Sequence, residues 1–94
     1  MTFAWKKGAP RVVFITGGGS GIGREFARRL AQEGASVAIF NRRLAPAVVA
    51  QLQTSARSAS QGFSSHAADV MDEAALRQAF AEAAAQLGAP QLII

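Results

Sequence analysis

Two short runs of the chain are apolar at every position: Val12-Val13-Phe14-Ile15 and Val37-Ala38-Ile39-Phe40. A strand with one wet face alternates apolar and polar residues. A strand apolar throughout is covered on both faces, as in a parallel sheet. Between the two runs the pattern changes to a helical period over roughly residues 21–33, where Ile22, Phe26 and Leu30 recur every fourth position and Arg24, Arg28, Arg29 and Glu33 take other faces. Gly34 then stands where a left-handed residue closes a helix.

The alternation continues. Pro46 suits a first helical turn, and a helix to about residue 56 buries Val48, Val49 and Leu52. Residues 55–61 are rich in serine and alanine and weakly patterned, and residues 63–68 read as a weak third strand. Asp72 and Glu73 place negative charge at the positive end of a further helix, which carries Leu76, Ala79, Phe80, Ala83 and Leu87 at helical spacing and stops at Gly88 and Pro90. Residues 91–94 begin a fourth apolar strand. The order β-α-β-α-β-α-β predicts an α/β fold with a parallel sheet and right-handed crossovers. Residues 1–10 read as an N-terminal arm, and residues 11–94 as one unit with no linker and no internal repeat.

Composition narrows the chemistry. The chain has 94 residues, 50% hydrophobic and only 17% charged, which excludes disorder for most of its length. Alanine supplies 21 of the apolar residues, so the core is thin. Without cysteine there is neither a disulfide nor a thiolate nucleophile, and His66, the single histidine, cannot build a zinc site alone. No apolar run reaches the ~18 residues of a membrane helix, and no signal-peptide pattern follows Lys6 and Lys7. The expectation is a soluble, cytoplasmic protein with no membrane partner. The net charge is +4, but the ten basic residues are scattered, which fits solvated surface better than a nucleic-acid interface.

The segment Thr16-Gly17-Gly18-Gly19-Ser20-Gly21-Ile22-Gly23 lies between a predicted strand and a predicted helix. Backbone amides and a helix N-terminus at such a place receive phosphate, and glycines let the backbone approach it. A P-loop is excluded, because Arg24 and Glu25 stand where a lysine and a hydroxyl belong. Strict GxGxxG spacing is absent too. Ser64, Ser65, His66 and Asp69 do not read as a catalytic triad, since alternation along a strand sends neighbours to opposite faces.

What fits is Gly17-x-x-x-Gly21-x-Gly23 preceded by Thr16, which resembles the TGxxxGIG motif of the short-chain dehydrogenase/reductase family. Further landmarks follow in the family's order: Gly34-Ala35 through Arg42, Asp69-Val70-Met71-Asp72, and Gly88 through Ile94. The resemblance implies a Rossmann-type doubly wound sheet, partial here, with strand order 3-2-1-4 and the outer edge of the fourth strand awaiting a fifth. It implies cofactor-binding roles for Gly17, Gly19, Ser20, Gly21, Ile22, Gly23, Asn41, Arg42, Asp69 and Val70. The glycines shape the turn, the backbone around Ser20 and Ile22 faces the pyrophosphate and the nicotinamide-side ribose, and Asp69 and Val70 lie by the adenine.

NAD sites of this topology want a carboxylate at the end of the second strand. Here that position is Asn41, followed by Arg42 and Arg43, with no Asp or Glu between Glu33 and Asp69. A guanidinium there pairs with a 2′-phosphate, so the expected cofactor is NADP rather than NAD. The family's catalytic Tyr-x-x-x-Lys pair has no counterpart: the chain has no tyrosine, and its lysines are Lys6 and Lys7. The expectation is therefore the NADP(H)-binding portion of an oxidoreductase acting on a carbonyl or alcohol, with its catalytic half, and any homo-oligomer contacts, beyond Ile94. The alternative is a nucleotide-binding module without catalysis.

Overall fold

The computed structural model describes residues 11–94, so the arm predicted over residues 1–10 lies outside the described residues. Seven elements alternate in the predicted order: β1 (Val12–Thr16), α1 (Gly21–Gln32), β2 (Ser36–Asn41), α2 (Pro46–Ser55), β3 (Phe63–Ala67), α3 (Glu73–Leu87) and β4 (Leu92–Ile93). The four strands make one parallel sheet in the order β3-β2-β1-β4, as expected for a Rossmann-type sheet. β1 pairs with β2 from Val12↔Ser36 to Thr16↔Phe40, and β2 pairs with β3 from Val37↔Phe63 to Asn41↔Ala67.

The uninterrupted apolar runs follow from this geometry. Successive strand residues point to opposite faces. Val13, Ile15, Val37 and Ile39 face α1 and α2, where they pack on Ala27, Leu30, Ala31, Val48 and Leu52. Val12, Phe14, Ala38 and Phe40 face α3, against Ala79 and Ala83. On that second face Phe14, Phe40 and Phe80 form a triangle with ring centroids 5.2, 5.4 and 4.7 Å apart. Each such aromatic pair adds about 0.5–1.5 kcal/mol beyond the area it buries. Small alanines on α3 let the helix sit close enough for the rings to meet.

The stripe predicted on α1 packs on the core at Phe26 and Leu30 but not at Ile22. The helix buries Ala27, Leu30 and Ala31, while Ile22 is 87% exposed. Ile22 lies in the first turn, beyond the carboxyl end of β1, where no strand remains to cover it. The third strand is legible only weakly because it is the sheet's edge: of its residues only His66 is buried. The imidazole stacks on Phe40 at 5.1 Å, and Ser64 Oγ lies 2.8 Å from its Nε2. Burial pushes the His66 pKa down, and the charge of Glu82 on α3 offsets this in part.

The weakly patterned stretch before β3 is ordered by one side chain. Gln61 Oε1 accepts from the amides of Arg57 and Ser58 at 2.8 Å each. Its Nε2 donates to the carbonyls of Ala31 and Ala35 at 2.9 and 2.6 Å. The side chain thus ties the α2–β3 connection to the end of α1 and the start of β2.

Candidate functional site

In open parallel sheets, ligands bind beyond the carboxyl ends of the strands, where strand order reverses. Here β1 is that point, since the chain leaves it toward β2 on one side and returns as β4 on the other. Three loops emerge at this edge: the glycine turn after β1, Arg42 to Ala45 after β2, and Ala68 to Asp72 after β3.

The glycine turn is anchored before it becomes a helix. Thr16 donates from both its amide and its hydroxyl to the Ile94 carbonyl, at 2.9 and 2.8 Å, which fastens β1 to β4. Gly17 has a φ of 72°, a left-handed conformation that side chains resist, while its amide continues the ladder to the Phe40 carbonyl at 2.8 Å. Gly23 is required by contact rather than conformation. A Cβ there would collide with the Gly17 carbonyl, so the first turn of α1 rests directly on the glycine turn.

Ser20 caps α1 in an extended conformation with no side-chain cap hydrogen bond, and the first turn holds no acidic residue. The amides of Gly21, Ile22 and Gly23 therefore have no intrahelical acceptor, and the positive end of the helix dipole is not neutralised. Amides left open in this way can receive an anion. Arg24, at the position of a P-loop lysine, hydrogen-bonds Gln51 on α2 instead of reaching into the turn.

Two clefts flank the end of β2. One, of about 290 Å³, is lined by Gly19, Ser20, Asn41, Arg42, Arg43, Leu44 and Ala45. The other, of about 230 Å³, is lined by Gly17, Phe40, Asn41, Arg42, Ala68, Asp69 and Val70. Asn41 and Arg42 belong to both. Asn41 Oδ1 accepts from the Gly19 amide at 3.3 Å, and Asn41 Nδ2 is buried without a partner. The Gly19 bond fixes which end of the amide is which, so the orphaned end is a donor. Arg42 Nη2 lies 3.3 Å from Asp69 Oδ2, while Asp69 Oδ1 accepts from the Met71 amide at 2.9 Å.

The structure thus places the ten sequence-predicted positions around one edge of the sheet. Gly17, Gly19, Ser20, Gly21, Ile22 and Gly23 form the turn and first helical turn, with Asn41 at the end of β2 and Arg42, Asp69 and Val70 in the next two loops. Sequence reasoning did not single out Leu44 and Ala45. Their loop is held by the Ala45 amide, which donates to Ser65 Oγ at 2.8 Å, a contact between strand and loop that no local pattern announces. Ser64 and His66 meet on one face of β3, whereas Asp69 turns to Arg42, so the residues weighed as a triad do not assemble. Among the described residues no group of three His, Asp or Glu side chains could hold a metal ion. No described helix is long and apolar enough to cross a membrane.

A family model described as short chain dehydrogenase matches residues 11–94. Among solved structures, a short-chain dehydrogenase/reductase from Serratia marcescens is similar at 32% identity with a TM-score of 0.72, over 88% of this chain and 34% of its own. A blue fluorescent protein from a metagenomic library, in complex with NADPH, is similar at 34% identity with a TM-score of 0.78, over 88% of this chain and 34% of its own. An NADH-dependent reductase complexed with NAD, at 21% identity and a TM-score of 0.77, shares the fold over 89% of this chain and 34% of its own. The chain spans about a third of the length of each of these structures. No curated protein matches it. With the family model matched across every described residue, and the glycine turn, the sheet order and the three loops in place, the chain belongs to the short-chain dehydrogenase family of oxidoreductases.

Proposed function

We propose that the chain is the dinucleotide-binding part of a short-chain oxidoreductase that takes NADP(H) in preference to NAD(H). One observation carries the preference: the end of β2 offers donors and cations, Asn41, Arg42 and Arg43, where an NAD site offers a carboxylate. The orphaned Asn41 Nδ2 and the exposed Ser20 beside it suit a ligand made of acceptor oxygens. Arg42 and Arg43 suit a phosphate dianion, which a carboxylate would repel.

The residues present fit the cofactor at its other groups as well. The amides of Gly21 to Gly23 would hold the pyrophosphate, which the close seat of Gly23 on Gly17 keeps free of side chains. Ile22 offers an apolar surface to the nicotinamide-side ribose, and its 87% exposure leaves that surface available. Asp69 and Val70 would receive the adenine. When bound, the nicotinamide supplies the hydride chemistry, and the protein's part is to hold and orient it. The substrate in this reading is a small carbonyl compound or alcohol. No tyrosine occurs among the 94 residues, so no proton-transfer step is assigned to a side chain of this chain.

The test is a pair of titrations, NADPH and NADH, against the folded chain, repeated with Arg42→Ala. NADPH should bind more tightly, and the substitution should weaken NADPH more than NADH, by about tenfold for the loss of one charge-assisted contact of roughly 1.5 kcal/mol. Equal affinities, or a preference for NADH, would overturn the reading.

A further inference from the structure

The two clefts meet at Arg42, and its guanidinium is already engaged: Nη2 donates to Asp69 Oδ2 at 3.3 Å. The two partners are held unequally. Asp69 Oδ1 accepts from the Met71 amide at 2.9 Å and the Asp69 carbonyl accepts from the Asp72 amide at 2.9 Å, so the carboxylate is fixed to the turn before α3. The Arg42 side chain is 79% exposed against 40% for Asp69, so Arg42 is the partner with room to move. Arg42 lines both clefts, and the ion pair directs its Nη2 toward Asp69, a residue of the cleft shared with Val70 and not of the cleft shared with Ser20 and Arg43.

We infer that Asp69 is a specificity-determining residue that acts through Arg42, drawing its guanidinium away from the cleft that would take a 2′-phosphate. The inference rests on the NADP(H) reading of the same site. A phosphorylated adenosine must take Arg42 from Asp69, whereas an adenosine without the 2′-phosphate leaves the pair intact. Only the phosphorylated ligand therefore meets the cost of parting the ions. Exposed ion pairs are weak, so the effect is modest: Asp69 lowers the NADPH-over-NADH preference by about two- to fivefold. This is distinct from any contact of Asp69 with the adenine, which both ligands would share and which would cancel in the ratio.

The experiment is a double-mutant cycle on the 94-residue chain, read by fluorescence titration of NADPH and NADH. Asp69→Asn keeps an acceptor for the Met71 amide and removes the charge. Asp69→Ser also preserves a turn of this kind and serves if the first variant folds poorly. The ratio of NADPH to NADH affinity should rise by about two- to fivefold in Asp69→Asn and stay unchanged when the same substitution is made on Arg42→Ala. A ratio unchanged in Asp69→Asn overturns the inference, since the residue then touches both ligands alike. A rise that persists on Arg42→Ala also overturns it, because removal of a nearby negative charge then acts without the arginine. The unsubstituted chain separates the two levels: if it does not favour NADPH, the cofactor reading itself has failed, and the inference with it.

Discussion

Replacing Gly23 with alanine tests whether the seat of α1 on the glycine turn is what holds the proposed anion cradle in shape. The added Cβ would stand 3.0 Å from the Gly17 carbonyl carbon and 3.2 Å from Gly18 Cα, and closer still to the Gly17 carbonyl oxygen. All three atoms are backbone. The chain leading into the Gly17 carbonyl is held on both sides, since the Gly17 amide is bonded to the Phe40 carbonyl at 2.8 Å and Thr16 before it is tied to Ile94 at 2.9 Å. Relief comes from lifting the first turn of α1, by roughly 0.5–1 Å if carbon contacts are to return to their ordinary 3.5–4.0 Å. Overpacking of this kind costs about 1–3 kcal/mol, while alanine gains about 1 kcal/mol over glycine within a helix. The net loss of stability is then about 0–2 kcal/mol. The loss in binding is larger. A shift of that size takes two charge-assisted amide bonds out of range, at about 1.5 kcal/mol or more each, which is roughly a hundredfold or more in NADPH affinity. Thermal unfolding by circular dichroism and NADPH titration below the transition measure the two effects separately. Gly62→Ala is the control: its Cβ meets only the Leu87 side chain, far from the clefts, and leaves NADPH affinity unchanged. A folded Gly23→Ala protein that binds NADPH as the unsubstituted chain does would refute the argument.

Gln61→Ala removes four hydrogen bonds at once. Water can replace the two to exposed amides, so the loss is set by the part-buried carbonyls of Ala31 and Ala35, about 1–3 kcal/mol in all, or a melting point lower by roughly 4–20 °C. A change under about 2 °C would show that the glutamine does not tie the connection down. His66 sets a pH dependence. Its folded pKa lies below the ordinary value near 6.5, so the native state binds fewer protons than the unfolded chain, and stability present above about pH 6.5 falls as the pH drops through the folded value. The urea midpoint should fall between pH 7.5 and pH 5, and His66→Gln should flatten that fall; an equal fall in both proteins would assign it to other groups.

Much of this fold could be read along the chain because its central strands are covered twice. β1 and β2 have no wet face, so Val12 to Ile15 and Val37 to Phe40 announce themselves as unbroken apolar runs. β3 lies at the edge and carries Phe63, Ser64, Ser65, His66 and Ala67, a sequence whose strand character comes from its pairing with β2 rather than from its own pattern. Ile22 shows the opposite limit. Its spacing from Phe26 and Leu30 places it on the core stripe, yet the sheet ends before it does, and periodicity carries no information on where a partner stops. Of the candidate site, the glycine turn and the run Asn41-Arg42-Arg43 at the end of β2 could be located from residue type and spacing. The pairing of Arg42 with Asp69, 27 residues away, and the hold of Ser65 on Ala45 could not, because they depend on where two loops meet.

On the proposed reading, the same geometry separates what would bind the cofactor from what would choose it. The proposed phosphate cradle is continuous with the core: Gly23 rests on Gly17, a Cβ on Gly18 would come 2.6 Å from Ile39 Cγ2, and Thr16 joins β1 to β4. A change there disturbs the packing of α1 on the sheet. Arg42, Arg43 and Leu44 lie beyond the last buried residue of β2 and are exposed, so substituting them leaves the buried side chains of both faces in contact. Asn41 stands between the two regimes, with one end of its amide on the Gly19 backbone and the other unpartnered. An Asp at position 41 would keep the first contact and reverse the character of the second, from donor to anionic acceptor. On that reading, cofactor preference could change at the end of β2 with little cost to the fold, whereas the proposed cradle could not.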